Sequence, residues 1–195
     1  MKRVCVFCGA NSGMRTDYGA AARALAEALA RRGLGLVYGG GNVGMMGMLA
    51  DAMLHARGEV IGVIPQPLVA REVAHLGVTK LHVVDDMHQR KAMMNELSDA
   101  FVALPGGFGT LEEFFEILTW SQLGIHRKPS GLLNVCGYYD DLLAMLDHAV
   151  TEGFLLPANR KLVIADTNAE ALVQRLASLC SASNEPVANA AGNFL

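Results

Sequence analysis

The sequence predicts an α/β fold: a doubly wound parallel sheet with helices on both faces. Three observations lead to it. Short apolar runs alternate with helical segments along the whole chain. Runs such as Val4-Cys5-Val6-Phe7 and Ala100-Phe101-Val102-Ala103-Leu104 are hydrophobic at consecutive positions, which suits strands covered on both sides. Glycine-rich turns follow the runs ending at Cys8, Tyr38 and Leu104, which places them at the carboxyl edge of the sheet.

In chain order, Arg3 to Cys8 reads as a first strand, followed by the small polar turn Gly9-Ala10-Asn11-Ser12-Gly13. An Ala/Leu-rich helix runs from about Asp17 to Arg32 and is closed by Gly33. Leu34 to Tyr38 is a strand that enters Gly39-Gly40-Gly41-Asn42-Val43-Gly44-Met45-Met46-Gly47. The helix after it, to about Arg57, is apolar or small on most sides and is expected to be buried. Val60 to Ile64 is a third strand, ended by Pro65-Gln66-Pro67, and an irregular loop with Arg71, Glu72 and His75 reaches Gly77. A strand at Lys80 to Val84 precedes Asp85-Asp86 and a helix through Leu97. After the run ending at Leu104, the chain turns through Pro105 to Gly109 into a helix with Leu111, Phe114, Phe115 and Leu118 on one face. A strand at Gly131 to Val135, a helix from Tyr138 to about Glu152, a strand at Leu162 to Ala165 and a helix from about Asn168 to Leu179 complete the pattern. Residues 1–180 form one domain, and 181–195, small and polar without periodicity, are expected to form a mobile tail.

Composition narrows the function classes. With 195 residues, 52% of them hydrophobic, the chain can bury one full core. A net charge of −3 offers no basic face for nucleic acid. No apolar run reaches the ~18 residues of a membrane span, and the N-terminus enters a strand without a signal peptide. Cys5, Cys8, Cys136 and Cys180 are scattered, mostly in apolar runs, and are expected to be buried, reduced thiols of a cytoplasmic protein. Cys5 and Cys8 form a C-x-x-C, but within a strand their side chains point to opposite faces.

The stretch Leu104-Pro105-Gly106-Gly107-Phe108-Gly109-Thr110-Leu111-Glu112-Glu113 is the most informative. Glycines let backbone N–H groups approach a ligand closely, and a helix start adds unpaired donors and the positive end of a dipole. That combination suits a phosphate, and Glu112 and Glu113 stand beside it. The alternative is that Thr110 and Glu113 are a capping box and nothing more. Gly39-x-Gly41-x-x-Gly44 matches a dinucleotide fingerprint, yet the next strand ends in Pro65-Gln66 without the acid that would hold a ribose. A mononucleotide or sugar phosphate fits better; a tight turn for helix–sheet packing is the other reading. In Met87-His88-Gln89-Arg90-Lys91, Arg90 falls on the apolar face with Met87, Met94 and Leu97. A guanidinium there either snorkels, pairs with a structural acid, or holds a ligand or carboxylate. Lys91 lies on the flank, where a solvated charge is the default. His82, His88, Asp85 and Asp86 lack a tight ligand spacing, so no metal is expected; Asp86 reads as a helix cap. No G-x-S-x-G supports a serine hydrolase.

In this order, the Gly39–Gly47 run, Met87-His88-Gln89-Arg90-Lys91 and Pro105-Gly106-Gly107-Phe108-Gly109-Thr110-Leu111-Glu112-Glu113 resemble the Lonely Guy (LOG) family, the cytokinin riboside 5′-monophosphate phosphoribohydrolases. The resemblance runs from about Arg3 to Leu179 and includes Trp120-Ser121-Gln122-Leu123-Gly124. It implies a Rossmann-like fold, a homodimer, no cofactor, and cleavage of N6-modified adenosine monophosphates, AMP among them, into free base and ribose 5-phosphate. It makes Arg90 and Glu113 the catalytic pair. Gly106, Gly107, Gly109 and Thr110 become the phosphate-binding turn, with Phe108, Leu111 and Glu112 in the same motif. Lys91 and Glu72, and Gly40, Gly41 and Met45 of the earlier glycine run, become substrate contacts. Phe108 departs from the family pattern, as does Ala10-Asn11 where serines are common. Many such chains carry a lysine decarboxylase label, but no lysine here sits in a recognisable pyridoxal-phosphate setting. The rival class is a nucleotide-binding module without catalysis; a dehydrogenase is disfavoured by the missing acid.

Overall fold

A computed structural model describes residues 1–69 and 73–183. Seven parallel strands form one sheet in the order β4-β3-β2-β1-β5-β6-β7. They are β1 (Arg3–Phe7), β2 (Gly35–Tyr38), β3 (Val60–Pro65), β4 (Lys80–Val84), β5 (Ala100–Ala103), β6 (Ser130–Leu133) and β7 (Val163–Asp166). The helices are α1 (Thr16–Arg31), α2 (Gly44–His55), α3 (Met87–Leu97), α4 (Phe108–Gln122), α5 (Asp140–Thr151), α6 (Pro157–Arg160) and α7 (Ala169–Ser183). The last helix runs past the expected domain end; the rest of the expected tail, 184–195, and the loop residues 70–72 lie outside the described residues.

The core lies on both faces of the sheet, as the consecutive apolar residues of the strands require. On one face Val4, Val6, Leu36 and Val102 pack against α1, α2 and α7. On the other, Cys5, Phe7, Val37 and Phe101 pack against α3, α4 and α5. Cys5 and Cys8 thus lie on opposite sides of the sheet, as strand alternation dictates. Burial pushes both thiols up, and the nearby Glu113 carboxylate adds to the effect. Cys180 is buried as well, whereas Cys136 is exposed, because it sits in the short 3-10 turn after β6. Helix α2 is buried along Met45, Met46, Leu49, Ala50 and Met53, wedged beneath α1.

Strand order runs outward in both directions from β1, which pairs with β2 on one side and β5 on the other. Crossovers diverge at that point, and a crevice opens beyond the carboxyl ends of β1 and β5. The Gly9 turn and the Pro105 turn meet there: Gly9 N–H donates to Pro105 O at 3.1 Å. Gly9 O in turn accepts from Met45 N–H at 3.1 Å, tying in the start of α2.

Candidate active site

Helix α4 starts three residues earlier than a Thr110 cap would require. Gly107 is the N-cap, in extended conformation, and no side chain caps it. Thr110 is therefore the third helical residue, and the capping box with Glu113 is not formed. The first N–H with a turn partner is that of Leu111, to Gly107 O at 3.2 Å. The N–H groups of Phe108, Gly109 and Thr110 precede it and have no acceptor within their own helix. Glu113, one turn in, is 8% exposed, so its carboxylate needs a reason other than capping.

Arg90 supplies part of that reason. Asp86 caps α3 by accepting from Gln89 N–H at 2.9 Å, which sets the helix phase. That phase buries Arg90 to 5% exposure. Its Nε donates to Val63 O at 3.2 Å and its Nη2 to Gly39 O at 3.0 Å. Snorkelling is thereby excluded. The planar fork spans carbonyls of β3 and of the turn after β2, and its Nη1 stands 3.9 Å from Glu113 Oε1. That separation is too long for a hydrogen bond but close enough for strong attraction between buried charges.

Lys91 is not a solvated flank charge. Its Nζ bridges Glu112 at 2.6 Å and Glu116 at 3.0 Å, joining α3 to α4. Burial is the largest single influence on its pKa and lowers it, but the hydrogen bonds and charges of the two carboxylates together outweigh burial and raise it. Glu112 is thereby held at the edge of the crevice.

The crevice is a cavity of about 500 Å³, within the range of small-molecule sites. Arg90, Glu112, Glu113 and Met45 line it, and so do Gly106, Gly107, Gly109 and Thr110 of the α4 start. Gly40, Gly41, Lys91, Phe108 and Leu111 do not. Gly40 and Gly41 strap the following loop instead: Gly40 O accepts from His75 N–H at 2.9 Å, and Gly41 bridges Ala74. Phe108 is 95% exposed, and Leu111 packs against the core below the sheet. Glu72 lies outside the described residues. Sequence reasoning missed Tyr18 and Tyr138, which wall the cavity with their rings edge to face at 5.8 Å. Asn11 and Ser12, from the first turn, also line it.

A family model described as "Possible lysine decarboxylase" matches residues 46–176. The chain is 52% identical over 175 residues to the cytokinin riboside 5′-monophosphate phosphoribohydrolase LOG7 of Arabidopsis thaliana, covering 90% of this chain and 81% of that protein. It is 55% identical over 178 residues to the enzyme of the same name from Rhodococcoides fascians, covering 91% and 90%. The chain belongs to the LOG family. Among solved structures, a molybdenum cofactor binding protein from Rippkaea orientalis superposes with a TM-score of 0.69 at 24% identity, covering 92% of this chain and 98% of that one. That likeness shows the Rossmann-like fold alone.

The glycines of the family's P-G-G-x-G-T motif divide by what a side chain would meet. A Cβ on Gly106 would run into Thr110 Oγ1 and come within 2.8 Å of Gly9 N. A Cβ on Gly107 or Gly109 would meet nothing within 4 Å, although both residues line the cavity. Gly106→Ala is therefore expected to lower the melting temperature by several degrees. Gly109→Ala should leave it level or raise it, since Ala is favoured over Gly within a helix by about 1 kcal/mol. If this turn seats the ligand, the same Gly109→Ala protein should bind a nucleoside monophosphate weakly, because the added methyl stands on the cavity lining. Thermal melts and substrate KM on the two variants check this. Unchanged KM for Gly109→Ala would remove the turn from ligand binding.

Proposed function

We propose that this chain hydrolyses the N-glycosidic bond of N6-modified adenosine 5′-monophosphates, releasing the free base and ribose 5-phosphate, and that AMP is a second substrate. The relatives' names support the first part. The observation that carries the reading is Glu113: a buried carboxylate on the cavity wall, beside Arg90 and one turn from the N–H groups that start α4.

Cleaving a ribosyl–base bond builds positive charge on the sugar. A carboxylate next to the anomeric carbon stabilises that charge and orients the attacking water. Glu113 takes this role, and Glu112 is a substrate contact. The 5′-phosphate rests on the backbone of Gly106 to Thr110 and anchors the sugar, so that binding energy remote from the bond serves the chemistry. Arg90 positions Glu113. A decarboxylase reading finds no support in Lys91, whose ammonium is tied to Glu112 and Glu116 and which does not line the cavity.

We take the enzyme to be a homodimer in the cytoplasm. The family likeness supports the dimer, and four free cysteines, three of them buried, support a reducing compartment.

Incubation with N6-isopentenyl-AMP and with AMP, followed by chromatography, tests the activity. Free base and ribose 5-phosphate in equal amounts are expected from both. Saturable binding of either nucleotide with no base released would make the chain a binding module instead.

A further inference from the structure

The turn that receives the phosphate has every one of its three leading carbonyls tied to a partner from elsewhere in the chain. Leu104 O accepts from Tyr139 Oη at 2.6 Å. Pro105 O accepts from Gly9 N–H at 3.1 Å. Gly106 O accepts from Tyr138 Oη at 2.6 Å. Two of these three donors are adjacent tyrosines, carried by the segment between β6 and α5.

That segment is itself fixed. Asn134, buried at the end of β6, accepts from Tyr139 N–H at 2.8 Å and donates through Nδ2 to Asp140 Oδ1 at 2.6 Å. Its own N–H donates to Asp166 O at 2.8 Å, at the end of β7. Tyr139 is 1% exposed and packs under β5. Tyr138 is 43% exposed and stands against Tyr18 at the cavity wall. A core tyrosine and a rim tyrosine thus reach the same turn from one rigid base.

A trans peptide sets its C=O and N–H on opposite sides. Holding Gly106 O on Tyr138 therefore fixes the direction of Gly107 N–H, and holding Pro105 O on Gly9 fixes that of Gly106 N–H. Glycines supply no side chain to resist rotation of these peptides, so the restraint has to come from outside the turn.

We infer that Tyr138 and Tyr139 are positioning residues for the phosphate seat: the Tyr138 hydroxyl holds the Gly106 carbonyl and so preorganises the Gly107 N–H toward a 5′-phosphate, while the Tyr139 hydroxyl anchors the turn at the Leu104 carbonyl, whose peptide ends on Pro105 and carries no N–H. The inference rests on the reading of that turn as the phosphate site. Tyr139 is the structural half of the clamp and Tyr138 the half that can be removed without disturbing the core. Burial raises the Tyr139 hydroxyl far above its ordinary pKa, which keeps it a neutral donor.

The test compares wild type, Tyr138→Phe and Tyr138→Ala, using ribose 5-phosphate and adenine separately as inhibitors of base release. Phe keeps the ring against Tyr18 and removes only the hydroxyl. The loss of one neutral hydrogen bond corresponds to about fivefold to tenfold. Ribose 5-phosphate inhibition and KM for the nucleotide should weaken by that factor in Tyr138→Phe. Inhibition by adenine and kcat, within about twofold, should stay as in wild type, and the melting temperature should fall by no more than a few degrees. Tyr138→Ala should lose no more phosphate affinity than Tyr138→Phe. If Tyr138→Phe binds ribose 5-phosphate like wild type, the clamp is overturned while the phosphate site stands. Equal weakening toward adenine and ribose 5-phosphate would also overturn it, making Tyr138 a general wall residue. If wild type itself ignores ribose 5-phosphate, the phosphate site and the clamp fall together.

Discussion

Glu113→Gln should abolish base release, by about a thousandfold or more, the scale on which a preorganised charge at the reacting centre acts. The fold should survive. Gln matches Glu in shape, and Arg90 keeps its bonds to Val63 O and Gly39 O when the carboxylate beside it is neutralised. Ribose 5-phosphate should bind much as before, because on the proposed reading its phosphate rests on backbone of the 106–110 segment and not on Glu113. The loss should therefore fall on kcat, the pattern expected when an interaction made only in the transition state is removed. Glu112→Gln is the matched control. Its carboxylate is half exposed and bonded to Lys91 at 2.6 Å, so that variant should lose affinity and some α3–α4 cohesion but keep measurable turnover. Chromatography of free base and circular dichroism on both variants check the pair. Near-normal kcat in Glu113→Gln would take that residue out of the mechanism and leave the cavity as a binding site only.

The ordering of strands and helices was legible because each apolar run was bounded by Gly, Pro or a charged cap, and the alternation admitted one sheet class. The burial of Arg90 was legible too, since its position between Met87 and Met94 placed a guanidinium on an apolar face. What settled its role was not. The acceptors, Val63 O and Gly39 O, lie 27 and 51 residues away and come together only when β2 pairs β3. The start of α4 was misplaced because a run of Gly residues carries no local preference for one N-cap; Gly107 took that role and left Thr110 inside the helix. Lys91 looked solvated for want of any sequence link between α3 and the acids of α4. Tyr138 and Tyr139 were passed over for the same reason. Nothing in the sequence links this helix start to the Pro105 turn; only the neighbouring of β5 and β6 puts the two tyrosines over it.

Arg90→Ala should fail in two separable ways. The first is stability. Removing the side chain leaves the carbonyls of Val63 and Gly39 without this donor in a buried place, and each such loss costs about 1–3 kcal/mol. A combined loss of roughly 3 kcal/mol lowers the melting temperature of a domain this size by about 6–12 °C. The second is chemistry. Glu113 loses the cation that stands 3.9 Å from it, so the carboxylate is no longer oriented and base release should drop at least about a hundredfold. Arg90→Lys tells the two apart. An ammonium preserves the charge, but it is a point donor on a flexible stem and cannot span both carbonyls and face Glu113 together. It should recover part of the melting temperature and little of kcat. Full recovery of both by Lys would mean that charge alone matters at this position, and the fork geometry across Val63, Gly39 and Glu113 would then have no part in holding Glu113.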